Sequence, residues 1–192
     1  MISKTVAAEC QLNTAIRLFF ENRDNLSSYA LAVASREVMD DVIQGRSKEL
    51  YQRELTRVGD PPKVWLSYRE EMKIRIKPEG YKGFLKLDRN WQNFLKHADC
   101  DPDAEIAPIK KKHLALTIIS AIKNYTVLTQ CWSVEMVTFF TWIAVAEPHL
   151  FKLEPSDETT KKVDELRKMI SGDSYGSETL KKIYTAISTQ DR

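Results

Sequence analysis

The stretch from Asn90 to Asp103, Asn-Trp-Gln-Asn-Phe-Leu-Lys-His-Ala-Asp-Cys-Asp-Pro-Asp, packs reactive side chains more closely than any other part of the chain. An ammonium (Lys96) and an imidazole (His97) close an amphipathic segment, and the carboxylates of Asp99, Asp101 and Asp103 alternate after it. Two kinds of chemistry fit these types. His97 could move a proton as general acid or base, while Arg89 or Lys96 stabilises phosphate charge and Asn90 and Asn93 orient a scissile phosphate. Alternatively, His97, Asp99 and Asp101 could hold a divalent metal such as magnesium or manganese, completed by a carboxylate from Glu37 or Asp41. A calcium loop does not fit. Ala104 stands where that loop needs glycine, and Lys110 where it needs the bidentate glutamate.

A helix must position these groups. About 100° per residue puts Lys86, Asn90, Asn93 and His97 in one stripe, beside an apolar face of Phe84, Leu87, Trp91, Phe94, Leu95 and Ala98. The stripe is then expected at the rim of the core, half-shielded from water. The same residues also make ordinary punctuation. Lys96 and His97 complement a helix C-terminus, the aspartates cap and open the next segment, and Pro102 stops the helix. Glu37 and Asp41, four residues apart, share a face with Ala30 and Ala34. If the central helix packs there, either carboxylate could reach His97 or Lys96. Otherwise they form an exposed rim, with Arg36 and Asp40 in solvent nearby. Lys110, Lys111 and Lys112 make a basic spot before His113. No glycine-rich elbow activates a serine or cysteine, and no glycine loop cradles phosphate.

The pattern along the chain is all-α. Leu12, Ile16, Phe19 and Phe20 give one face of a helix from about Val6 to Asn22. Asp24 or Asn25 can cap a second from about Leu26 to Ile43, with Leu31, Ala34, Val38 and Val42 as its face and Gly45 as its stop. A more polar segment comes next, broken at Asp60-Pro61-Pro62. Either proline could open a helix through about Ile76. Lys73–Lys77 alternates and is the one strand-like piece. The central helix runs from roughly Gly83 to Ala98, and another from about Lys111 to Leu128. Ser133 caps a helix that is apolar almost all round to Ala146, which predicts a place at the centre of the core. Two charged helices, Ser156 to about Ile170 and Ser177 to Ile187, complete a multi-helix bundle of about seven to eight helices. Residues 1–150 read as the bundle core and 151–192 as a charged helical appendage packed on it, or as part of one single domain.

Composition narrows the function classes. The net charge of +2 does not demand nucleic acid as a partner. The apolar run from Met136 to Ala146 falls well short of the roughly 20 residues that cross a bilayer. Cys10, Cys100 and Cys131 have neither disulfide arithmetic nor zinc spacing. A cytoplasmic protein with reduced thiols and no membrane contact is expected.

The run Asn93-Phe-Leu-Lys-His97-Ala, after a long helix pair, resembles the HEPN superfamily of bacterial helical bundles. It is also similar to bacterial helical proteins with a segment like Asn93–Asp103. The helix pattern of the resemblance covers about Val6 to Glu147, and its motif only about a dozen residues. HEPN ribonucleases use an arginine, a polar residue and a histidine, and two facing copies build the RNA-cleaving site. Arg89 followed by Asn90 matches the start of that motif. His97 comes later than the motif's histidine, about 80° around the helix from Arg89. The departure points toward members of the superfamily that lack the active motif and serve as binding or assembly modules. The leading expectation is therefore a helical interaction module, a homodimer or bound to another protein, with no cofactor. A HEPN-type ribonuclease acting on RNA comes second, and a metal-dependent hydrolase or sensor third.

Overall fold

The computed structural model describes residues 1–22, 24–58, 78–96, 103 and 105–146. Among these the fold is all-α, with six helices and no strand. The expected helices from Pro61 or Pro62, Ser156 and Ser177, the strand-like Lys73–Lys77 and the proposed appendage lie outside the described residues.

Helix α1 spans Lys4–Glu21. Ser3 caps it by accepting the Val6 amide at 3.2 Å, and the chain leaves through Asn22 in the left-handed conformation. Its buried face, Ala8, Leu12, Ala15, Ile16 and Phe19, follows the helical period. Helix α2, Asn25–Gly45, starts on Asp24, whose carboxylate accepts the Leu26 and Ser27 amides at 3.0 Å each. The two helices are antiparallel and very close. Ser28 Oγ donates to the Ala15 carbonyl and Ser35 Oγ to the Ala8 carbonyl, both at 2.7 Å. A serine hydroxyl spans so short a gap only where side chains at the contact are small, which Ala8, Ala15 and Ala32 provide.

Helix α3, Ser47–Val58, follows directly. The sequence marks this stretch only as more polar, and Leu50 is its buried anchor among the described side chains. Helix α4 is Pro78–Lys96, helix α5 Lys111–Thr129 and helix α6 Val134–Ala146. Helix α5 runs parallel to α2. Tyr29 lies beside His113, and eleven residues further along each helix Asn124 donates to Asp40 at 2.8 Å. From α3, Arg53 donates to the Val127 and Leu128 carbonyls at the end of α5.

The sequence predicts α6 at the centre of the core. Among the described residues α2 and α5 carry much of the core, and α6 lies against α1 with Met136, Phe139 and Ile143 fully buried and no described side chain of the helix exposed. Phe19 and Phe20 meet Phe139 and Trp142 edge-on or tilted, with ring centroids 4.9 to 6.0 Å apart. Ser133 and Arg17 frame this contact, through Asn13 at 2.8 Å and Glu135 at 2.5 Å. The face expected for α2 is also rotated. Ser28, Tyr29, Ala32, Val33, Ser35, Arg36 and Met39 are buried, whereas Leu31, Ala34, Val38 and Val42 are half-buried. Of the four tryptophans, Trp91 is buried, Trp142 half-buried and Trp132 exposed, and Trp65 lies outside the described residues.

Candidate functional site

Helix α4 has two chemically different sides. Toward the core it sends Asp88, 5 % exposed, and Trp91. The Asp88 carboxylate collects hydrogen bonds from α2 and from its own helix, with a histidine of α5 close by. Tyr29 Oη donates to Oδ1 at 2.7 Å. Arg36 Nη2 donates to Oδ2 at 3.2 Å, and Gln92 Nε2, one turn along α4, at 3.1 Å. His113 Nε2 stands 3.8 Å from Oδ1, beyond hydrogen-bond length and within reach of charge attraction when the ring is protonated. Trp91 closes the group, edge-on to Tyr29 and to His113 at 5.5 and 4.6 Å, with its indole N–H on the Ala107 carbonyl at 3.2 Å.

Burial alone would raise the Asp88 pKa. The neighbouring His113 ring, the Arg36 guanidinium and the Tyr29 hydroxyl outweigh it and hold the carboxyl at about 2. The Tyr29 phenol moves far up, first through burial and then through the neighbouring Asp88 charge. The site therefore contains a carboxylate kept ionised and a phenol kept neutral. Such a group fixes geometry. A buried ion pair contributes specificity of packing more than net stability, because desolvation offsets most of the attraction.

The opposite side of α4 faces water. Lys86, Arg89, Asn90 and Asn93 are all exposed, about 100° to 200° around the helix from Asp88. This corrects the expectation of a half-shielded rim. Asp88 and Trp91 take the inward position, and that rotation carries the amide stripe into solvent. His97, Asp99 and Asp101 lie outside the described residues. The expected juxtaposition of the α2 acids with the end of α4 is present in one pair. Lys96 Nζ donates to both Glu37 oxygens, at 2.9 and 3.1 Å, on the surface. Asp41 is exposed. Arg36 and Asp40, expected in solvent, are buried and half-buried, because Asp88 and Asn124 supply their partners. Among the described residues no three histidine, cysteine or acidic side chains cluster as metal ligands, and no helix is long and apolar enough to cross a membrane.

Tyr29, Arg36, Asp88 and His113 are the residues that sequence reasoning passed over. The available signal was an acid, Asp88, three residues before Trp91 in an amphipathic helix. Lys111, part of the basic spot, is exposed yet lies over the Phe19 ring at 4.9 Å, and partial burial lowers its pKa. No family model, no curated protein and no solved structure matches this chain.

Proposed function

We propose that the chain is a helical interaction module that binds a protein partner, in the first instance a second copy of itself, through one side of α4. The orientation of α4 carries this reading. An acid faces the core, while Leu87 stays 50 % and Leu95 38 % exposed, with Phe94 half-buried on the same side. Leu87 and Phe94 lie about 20° apart around the helix and about 40–60° from Trp91, at one edge of the side that packs on the core, and Leu95 lies near its end. Burying the exposed remainder of each leucine gains roughly 0.6–1.5 kcal/mol, which a partner surface would supply. The exposed, unbridged Cys10 and Cys131 suit the reducing cytoplasm proposed as the setting.

Light scattering on wild type and Leu87→Lys tests the reading. A wild-type dimer that becomes monomeric in the variant, with unchanged circular dichroism, supports it. A wild type that stays monomeric and retains no protein in pull-downs sinks it.

The common exposure of Lys86, Arg89, Asn90 and Asn93 favours a second reading, a HEPN-type ribonuclease in which His97 moves the proton. RNA cleavage by wild type is compared with His97→Ala. Equal residual activity in both ends that assignment.

A further inference from the structure

Two side-chain contacts fix how α4 lies along α2. Tyr29 meets Asp88 at 2.7 Å and Glu37 meets Lys96 at 2.9 Å, eight residues further along both helices, so the two helices run in parallel. Charge on their outer surface is therefore ordered by position. Lys86 and Arg89 are exposed at one end. Glu37 and Asp41 belong to the other end, about 15 Å of helix away, with Lys96 setting one positive charge against them. Asp88 is the only acid from Lys86 to Lys96, and it is turned inward onto Tyr29 and Arg36. No exposed acid stands on α4 among its described side chains to offset Lys86 and Arg89.

A surface ordered in this way is complementary to its own reverse. Leu87 lies four residues before Trp91 and Leu95 four after it. Lys86 lies five before, and Lys96, which holds Glu37, five after. A second copy turned end for end about a two-fold axis level with Trp91 sets Leu87 of each copy against Phe94 and Leu95 of the other. The same rotation carries Lys86 and Arg89 of each copy toward Glu37 and Asp41 of the other. Asn90, exposed and able both to donate and to accept, falls near the axis and faces its own equivalent. A copy laid the same way round puts cation on cation and acid on acid, which opposes association.

We infer that a second copy of the chain docks on α4 end for end, as an antiparallel pair with its axis beside Asn90 and Trp91. The inference rests on the partner reading above and adds to it the direction and register of the pair.

Disulfide trapping reads the direction, in chains whose Cys10, Cys100 and Cys131 are replaced by serine. Under mild oxidation by copper phenanthroline in air, Asn90→Cys, near the axis, should link to itself as a covalent dimer, and Lys86→Cys, at one end, should not. Light scattering on wild type separates this arrangement from the partner reading. A monomer overturns both. A dimer that links through Lys86→Cys, or through neither cysteine, overturns the end-for-end arrangement and leaves the partner reading standing. Charge reversal in the chain with its native cysteines is a second measurement, and it decides where a cysteine variant does not fold. Lys86→Glu with Arg89→Glu should weaken self-association roughly tenfold, and Asp41→Lys should weaken it in a separate chain. An equal mixture of the two variants should associate more tightly than either alone. A mixture no tighter than its components overturns the inference.

Discussion

The Arg36 guanidinium and the Asp88 carboxylate, 52 positions apart in sequence, meet at 3.2 Å with both side chains withdrawn from water. Each charge is held in place by the other. Asp88→Ala should therefore cost about 3–5 kcal/mol, since it takes a carboxylate partner from a buried guanidinium, and replacing both residues by apolar ones of similar volume should cost less. Urea unfolding of the two single variants and the double variant measures this. Additive losses would show that the two residues do not act as a pair.

The same carboxylate sets a pH dependence. Its folded pKa of about 2 lies below the ordinary 3.8, so the native state binds the proton less readily than the unfolded chain does. The stabilisation, about 2 kcal/mol, is present above pH 3.8 and is lost as pH falls toward 2. Acid titration of stability should show this fall in wild type and a weaker one in Asp88→Asn. Identical curves would assign acid unfolding to other groups.

Tyr29→Phe removes a donor from a buried carboxylate and should destabilise by roughly 1–3 kcal/mol. Its alkaline behaviour is a second readout. Burial holds the phenol neutral well past the ordinary value of 10.0, so folding stability should decline only as pH rises above that value. In ultraviolet titration, wild type should have one tyrosine ionising with unfolding that Tyr29→Phe lacks.

Phe19 is fully buried and touches Phe20, Phe139 and Trp142. Phe19→Ala should cost about 3–5 kcal/mol and release α6 from α1. Leu87→Lys, on the exposed side of α4, should change stability by less than about 0.5 kcal/mol, so any loss of association in that variant reports on binding. Thermal midpoints of both variants provide the comparison.

Glu37 is engaged by Lys96 at 2.9 Å. Manganese or zinc should therefore leave the thermal midpoint unchanged. A concentration-dependent rise that His97→Ala abolishes would instead establish the metal reading.

The sequence made α1, α2, α5 and α6 legible as helices because apolar residues recur along all four and side-chain caps mark three of them. Ser3, Asp24 and Ser133 bond the first turns, and the apolar spacing of Leu12, Ile16 and Phe19 is the spacing that is buried. Helix α3 was hidden, since Ser47–Val58 is dominated by charge and buries Leu50 against the bundle. The rotation of α2 and α4 was hidden for a different reason. A polar side chain goes inside when partners await it, and the partners of Arg36, Asp88 and Asn124 come from helices far along the chain. Periodicity weighs Leu87 and Leu95 against Asp88 by hydropathy alone, so it set Trp91 inward correctly but missed Asp88 and placed Asn90 and Asn93 at a rim they do not occupy. His97, Asp99 and Asp101 lie outside the described residues, so the fold does not bear on them.

Arg53 gives its guanidinium to the carbonyls of Val127 and Leu128, some 75 positions later. The last turn of α5 is thus finished by a residue made long before it, on a helix with no place in that turn's own sequence. Gln130, in the left-handed conformation, turns the chain out of α5, and Arg53 satisfies two of the carbonyls that the turn leaves open. The boundary of one helix is in this sense written in another.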